Sequence, residues 1–353
     1  MSTPGSAEGP GDLMAAEIAE QPSVLARALD QSLPEVRAVA AHVRRARPRF
    51  VLLAARGTSD HAALYGKYLI ETGLGVPCGL ASLSTLTGYD AEPDLRDVLW
   101  VAVSQSGGSP DLVESTRKAA RAGALTLAVT NMPESPLAVA AELHVDVAAG
   151  PELSVAATKT YTAQLQALWL LVDALRGGSG EAARGVPDAV ADALGTDAVS
   201  RVRDRFRYVD RLITVGRGFS YPTAREAALK LMETSYLAAH AFSGADLMHG
   251  PLAMVDQDRP VVVVAPHGVG GRLLVPVLGE LRDRRADVFV VGDPVLARDH
   301  GARDCVPIPS RVEGALSSVV EIVPLQRLAL ELALDRHLDP DHPRGLRKVT
   351  ETV

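Results

Sequence analysis

The sequence predicts an α/β protein of two tandem domains, each a three-layer α/β/α sandwich around a mainly parallel sheet of the flavodoxin or Rossmann type. Three observations predict it. Short, wholly apolar runs such as Val98–Val103 and Pro260–Pro266 are strand-length and alternate with amphipathic stretches of helix length. The alternation occurs twice: 50–71 reads FVLLAARGTSDHAALYGKYLIE and 211–233 reads RLITVGRGFSYPTAREAALKLME, each an apolar run, then Arg-Gly-x-Ser, then a helical pattern ending near a Glu. A Gly-rich segment, RGGSGEAARG from Arg176 to Gly185, separates the two copies.

Taken in order, residues 1–12 are rich in Gly, Pro, Ser and acidic residues and read as a disordered tail; they lack the basic start and apolar core of a secretory signal. Leu13 to Arg45 reads as a helix pair preceding the first strand. Strands follow at Phe50, at Val98–Val103 and at Leu125–Thr130, and the second copy repeats them from Arg211, at Pro260–Pro266 and at Val288–Gly292. Strands that alternate with helices this regularly imply right-handed crossovers and a sheet buried on both faces. A last helix is expected over Val323–Leu338, before a short tail with prolines. The expected organisation is 13–176, a linker over 177–196, 197–343, and a tail over 344–353.

Composition narrows the function classes. With 353 residues and 47% hydrophobic content the chain can bury two ordinary cores. No apolar run approaches the 18 to 20 residues that span a bilayer. The net charge of −7 argues against a nucleic-acid partner, since phosphate binding needs surplus Lys and Arg; the cluster Arg44, Arg45, Arg47, Arg49 reads instead as the polar end of a helix. Cys78 and Cys305 have no CxxC partner, the histidines show no HxH or HxxxH spacing, and no metal or cofactor is expected. A reducing, cytoplasmic setting fits.

Only five of the 36 basic residues are lysines: Lys67, Lys118, Lys159, Lys230 and Lys348. A chain that accepts Arg for generic positive charge keeps Lys where an amine must lose its proton, as imine formation requires. Lys67 and Lys118 lie on apparent helix surfaces.

The two copies differ chemically. After its second long strand the first carries Ser104-Gln105-Ser106-Gly107-Gly108-Ser109, where the second has Pro266-His267-Gly268-Val269-Gly270-Gly271. Hydroxyls and small residues at a strand-to-helix turn supply N–H and O–H donors and the positive end of a helix dipole, which together cradle a phosphate. Thr58 and Ser59 follow a neighbouring strand and should join them at the carboxyl ends of the strands. Helix capping explains one hydroxyl per loop, though not all of these together. Neither a Walker A loop nor a dinucleotide fingerprint is present.

These loops resemble the SIS (sugar isomerase) domain family, and the resemblance covers nearly the whole chain after Met14. It is carried by Met14 to Pro22, Gly57-Thr58-Ser59, Ser104-Gln105-Ser106-Gly107, Glu152–Thr160 (ELSVAATKT), Gly216-Arg217-Gly218, Ala228-Leu229-Lys230-Leu231-Met232-Glu233, His249-Gly250-Pro251-Leu252-Ala253 and Pro343 to Thr350. The set is similar to the isomerase half of the glucosamine-6-phosphate synthases. Arg56-Gly57-x-Ser59-Asp60-His61-Ala62, Ser106-Gly107-x-Ser109-Pro110-Asp111 and Lys348-Val349-Thr350 look closer to the stand-alone SIS-type glucosamine-6-phosphate deaminases. The synthases carry a glutaminase domain ahead of these segments for which the chain has no room, so deamination is the expected direction.

The resemblance implies that Thr58, Ser59, Ser104, Gln105, Ser106 and Ser109 hold a sugar 6-phosphate and that Val155 and Ala157 line the sugar. It implies further that Glu233 moves a proton between C1 and C2 with Lys230 beside it, that His249 assists ring opening from a neighbouring subunit of a homodimer, and that Lys348 forms an imine. Without it, Lys230 and Glu233 would read as a surface ion pair, His249 as a turn residue and Lys348 as a tail charge. Gly108 stands where the synthases have Glu, Met232 where a lysine is common, and Ala157 where they have a serine, which bears on which sugar is bound. An aminating isomerase, a fructosamine-phosphate deglycase and a non-catalytic sugar-phosphate sensor are the alternatives.

Overall fold

The computed structural model describes residues 9–312 and 314–348. Most of the expected N-terminal tail, residues 1–8, and the Val349-Thr350 end of the C-terminal motif lie outside the described residues. The chain forms two compact units, one of residues 22–150 and 159–187, the other of 9–21, 151–158 and 188–348.

The first unit is built on β1 (Phe50–Ala54), β2 (Cys78–Leu80), β3 (Val98–Ser104), β4 (Leu125–Thr130) and β5 (Leu143–Asp146) in the order β2-β1-β3-β4-β5. Every pairing is parallel, with Leu53 opposite Val101 and Ser104 opposite Thr130. Val101, Ala102, Val103, Leu127 and Val129 are fully buried, because helices cover both faces and a central parallel strand has no polar side to present. The order reverses between β1 and β3, so the loops leaving these two strands diverge and open a crevice at their carboxyl ends.

The second unit repeats the plan with β6 (Arg211–Gly216), β7 (Ala238–Ser243), β8 (Pro260–Ala265), β9 (Asp287–Gly292) and β10 (Asp304–Pro307) in the order β10-β9-β8-β6-β7, again all parallel. Its core gathers Ile213, Val215, Val261, Val263, Val288 and Val290 from the central strands. The duplicated sequence pattern is therefore a duplicated topology.

Several elements differ from the sequence expectation. The last helix runs Ser317–Asp335 with Pro324 inside it, six residues earlier than the proline suggested. The missing proline N–H costs one helical bond, and burial of Val319, Val320, Ile322, Val323, Leu325 and Leu328 outweighs it. The stretch 177–196 holds the 3-10 turn Glu181–Gly185 and the helix Val186–Leu194, whose Ala189 and Val190 are fully buried. The edge strands β2, β5, β7 and β10 carry too few apolar residues to announce themselves. The expected N-terminal pair appears as helices Asp12–Ala19 and Gln21–Ala46, the second ending at Arg44 and Arg45.

Candidate active site

In the first unit the hydroxyls stand at the crevice between β1 and β3. β1 leads into helix Gly57–Leu74, whose first turn holds Thr58 and Ser59, and β3 leads through 105–109 into helix Pro110–Arg121. The Ser59 hydroxyl accepts a hydrogen bond from Gln164 Nε2 at 3.0 Å. Ser104 Oγ accepts from the Gly107 amide at 3.0 Å and Ser106 Oγ from the Gly108 amide at 3.2 Å. Each of these hydroxyls has its acceptor side engaged and, among the described residues, keeps an O–H to donate, which suits an anion. Ser109 is the N-cap residue of its helix yet makes no capping bond with its side chain.

Gly107 could be nothing else: its φ is 62° and a Cβ there would stand 2.1 Å from Ser135 Oγ. The Arg56 guanidinium holds the buried Asp111 carboxylate through Nε at 2.9 Å and a second nitrogen at 2.8 Å, tying the loop after β1 to the helix after β3. That clamp fixes the mouth of the crevice and gives a role to two residues that the sequence motifs contain without one.

The second unit holds the ionisable set. Helix Ser220–Ser235 places Glu226, Lys230 and Glu233 one and two turns apart on one face. Lys230 is fully buried; its Nζ lies 2.5 Å from Glu233 Oε2 and 3.3 Å from Glu226 Oε1. Burial alone would push the ammonium's pKa down, and the two carboxylates more than offset this, so it lies above the usual lysine value. Glu226 is likewise buried, whereas the Glu233 side chain keeps 22% exposure. The arrangement is a carboxylate oriented by a permanently charged ammonium and open on one side.

The C-terminal tail is stitched to the same unit. The Arg344 amide donates to the Tyr236 hydroxyl at 2.9 Å and its guanidinium lies over the Tyr236 ring at 4.2 Å; Tyr236 caps the helix carrying Lys230 and Glu233. Asp341 accepts from the amides of Leu13 and Met14, and its carbonyl accepts from the Val155 amide at 3.3 Å. Lys348 then donates to Glu152 Oε2 at 3.2 Å and to the Ser154 carbonyl at 2.5 Å. Ala157 is half-buried in the same 152–158 loop.

His249 is not joined to this set. It caps the short helix Gly244–Met248 with its backbone and stands exposed, flanked by the exposed Met248 and Met254. Lys67 pairs with Glu71 and Lys118 with Asp90, both as surface contacts. Burial pushes the thiols of Cys78 and Cys305 up to about 12, so neither is reactive. Among the described residues no group of His, Cys, Asp and Glu could hold a metal ion, and no helix is long and apolar enough to cross a membrane.

The SIS domain model matches residues 46–174 and 206–293, most of the chain, with the whole first sheet and all of the second but β10. The chain belongs to the SIS domain family. It is 36% identical over 354 residues to a glutamine–fructose-6-phosphate aminotransferase (isomerizing) of Pseudomonas putida, covering 95% of this chain and 58% of that protein. The enzyme of the same name from Thermus thermophilus is also 36% identical, with the same coverages. The chain thus spans a little over half the length of these relatives.

Among solved structures, a candidate phosphosugar isomerase from Silicibacter pomeroyi is 35% identical with a TM-score of 0.84, covering 93% of this chain and 99% of that one. The C-terminal domain of a glucosamine-fructose-6-phosphate aminotransferase from Francisella tularensis is 28% identical with a TM-score of 0.86, covering 96% and 100%. A glucosamine-6-phosphate deaminase from Thermotoga maritima, 21% identical with a TM-score of 0.78 over 96% of this chain and all of that one, shares the fold.

Within this SIS chain the asymmetry between the halves has a structural basis. The second-unit counterpart of Ser59 is Ser220, at the start of the equivalent helix. Where the first unit sets the amide of Gln164, the second buries Glu321, which accepts from Ser317 Oγ at 2.6 Å. Burial pushes Glu321 up to about 7, against the Ser317 hydrogen bond and the nearby Ser220 and Thr223 hydroxyls, which lower it. A unit that buries a carboxyl near Ser220 and offers His267 and glycines in place of serines makes a poor phosphate cradle. Glu226, Glu152 and Glu17 stand inside the quoted motifs without a role assigned from sequence; only Glu226, one turn before Lys230, carries a local signal.

Proposed function

We propose that the chain is a phosphosugar-converting enzyme that turns glucosamine 6-phosphate and water into fructose 6-phosphate and ammonia. The observation that carries the reading is the Lys230–Glu233 pair: a partly open carboxylate held 2.5 Å from a buried ammonium. A base that must take a proton from carbon and return it to the neighbouring carbon needs a cation beside it, a fixed orientation and access to the substrate, and this pair supplies all three. The hydroxyl loops of the first unit are assigned the 6-phosphate, since Ser59, Ser104 and Ser106 each retain an O–H donor.

In this reading the ring opens with help from His249, presented by a second copy of the chain. Glu233 takes the C2 proton of the open aldehyde and delivers it to C1, leaving an imine at C2. The Lys348 amine exchanges with that imine and expels ammonia, and water then hydrolyses the lysine imine to release the keto sugar. The exposed His249 between two exposed methionines supports its placement at a contact with a second copy.

The opposite direction, amination of fructose 6-phosphate by free ammonia, is favoured by the names of the relatives at 34–37% identity. The purified chain is incubated with glucosamine 6-phosphate while ammonia and fructose 6-phosphate are followed, and with fructose 6-phosphate plus ammonium in parallel. Turnover in the first mixture supports deamination, and turnover confined to the second reverses the direction. Turnover in neither, with either sugar phosphate still raising the melting temperature, reduces the protein to a sugar-phosphate sensor or moves it to another amino or glycated sugar.

A further inference from the structure

Lys348 is expected to act as a nucleophile, yet the structure sets its amine against two hydrogen-bond acceptors. Glu152 Oε2 at 3.2 Å and the Ser154 carbonyl at 2.5 Å both accept from its Nζ, a setting that stabilises the ammonium. Glu152 is itself buried and fully engaged, because its other oxygen accepts from the Thr158 amide at 2.9 Å.

A second carboxylate borders the same few atoms. Glu17, on helix Asp12–Ala19, is only 4% exposed. Its Oε1 accepts from the amides of Leu153 and Ser154, and among the described residues its buried Oε2 has no hydrogen-bond partner. Glu152 thus meets the ammonium directly while Glu17 acts on it through its charge, and the three charges cannot all be balanced at once.

We propose that Glu17 and Glu152 form a two-carboxylate socket that docks the tail by its Lys348 amine, and that Glu17 is a positioning residue whose protonation sets how tightly the tail is held. That Lys348 serves the chemistry rests on the function proposed above; the docking itself does not. Burial first, and the Glu152 charge with it, push the Glu17 carboxyl up to about 7, against lowering contributions from the Leu153 amide, Lys348 and the Ser154 amide. The charged groups facing Glu17 are Glu152 from the loop and Lys348 from the tail. Asp341, from the same tail, is committed to the amides of Leu13 and Met14, and the last helix meets this one through Leu330, an apolar contact.

The sign follows. Below about pH 7 Glu17 carries its proton, the socket holds one negative charge, and the tail is held by Glu152 alone. Above it the socket holds two negative charges and grips the ammonium more tightly. An amine gripped as an ammonium forms no imine, so the tail must leave the socket for Lys348 to work.

Trace acetylation followed by peptide mass spectrometry reads the docking without any turnover. Lys348 modification is expressed relative to Lys67 and Lys118 in the same sample, which cancels the common rise of amine reactivity with pH. In the unmodified chain this ratio is expected to fall about tenfold between pH 6 and pH 8, the effect of one unit of coupling between two charges. In Glu17→Gln it stays level across that range, and in Glu152→Gln it is high throughout.

A ratio that is level in the unmodified chain overturns the proposal, and this measurement depends on no variant folding. A Glu17→Gln profile that follows the unmodified one overturns the part assigned to Glu17. Because labelling needs no substrate, a chain inactive on amino sugar phosphates whose ratio falls as expected refutes the function and leaves the socket standing. An active chain with a level ratio does the reverse.

Discussion

The substitution Glu233→Gln separates chemistry from stability more cleanly than any other in the molecule. It keeps the size and hydrogen-bonding capacity of the side chain and removes the charge that would accept a proton. Loss of a positioned general base costs about 10²- to 10⁴-fold in rate, or about 3 to 5 kcal/mol of transition-state stabilisation. The fold should barely register the change. Lys230 keeps Glu226 at 3.3 Å, so no buried charge is stranded, and Glu233 is the more exposed partner.

Lys230→Met is the counterpart. It removes the ammonium from between two carboxylates and leaves Glu226, which is fully buried, without this cation. Breaking a buried pair in this way costs about 3 to 5 kcal/mol, a drop in melting temperature of roughly 10 °C for a unit of this size. The assay pairs thermal unfolding with ammonia release and with solvent-deuterium incorporation at C1 of the product. Glu233→Gln is expected to unfold within a few degrees of the unmodified chain and to lose both activities together. A folded Glu233→Gln that retains more than about a tenth of the activity refutes the proton-transfer role. A Lys230→Met chain as stable as its parent refutes the energetic account of the pair.

Other outcomes follow from the same structure. Gly107→Ala forces a Cβ to within 2.1 Å of Ser135 Oγ at a φ of 62°, so about 1 to 3 kcal/mol of strain is expected, with KM for the sugar phosphate rising more than kcat falls, as steady-state kinetics and melting curves would show. Burial raises the Glu321 carboxyl to about 7, above the unfolded value of about 4.3. Its contribution to stability is therefore greatest below pH 4 and is lost as pH climbs through 7. Urea unfolding at pH 5 and pH 8 should show Glu321→Gln gaining on its parent with rising pH, and equal midpoint differences would contradict the shift. If His249 serves the neighbouring copy, mixing inactive Glu233→Gln with inactive His249→Ala under subunit exchange should restore about a quarter of the parental activity, since half of random pairs are mixed and each has one intact site. No recovery, with mixed pairs verified by native mass spectrometry, would place His249 outside the reaction.

The sequence alone determined the parallel α/β plan, its duplication and the chemical difference between the halves. The apolar runs of β1, β3, β6 and β8 are buried on both faces and so carry their own label, and the Arg-Gly-x-Ser turns mark where each helix begins. Motif order identified the family, and with it the two lysines, the glutamate, the histidine and the hydroxyls assigned to the chemistry. What escaped was whatever depends on partners distant in the chain. Edge strands β5 and β10 are four residues each and take their conformation from the neighbour they pair with. Pro324 sits inside a helix because the surrounding core compensates a broken backbone bond, a balance that no local pattern contains. Glu17, Glu152 and Lys348 are separated by more than a hundred residues at each step, and a carboxylate on a short amphipathic helix is ordinarily a solvated charge. Only the packing of the first helix, the 152–158 loop and the tail removes these groups from water and makes their charges interdependent.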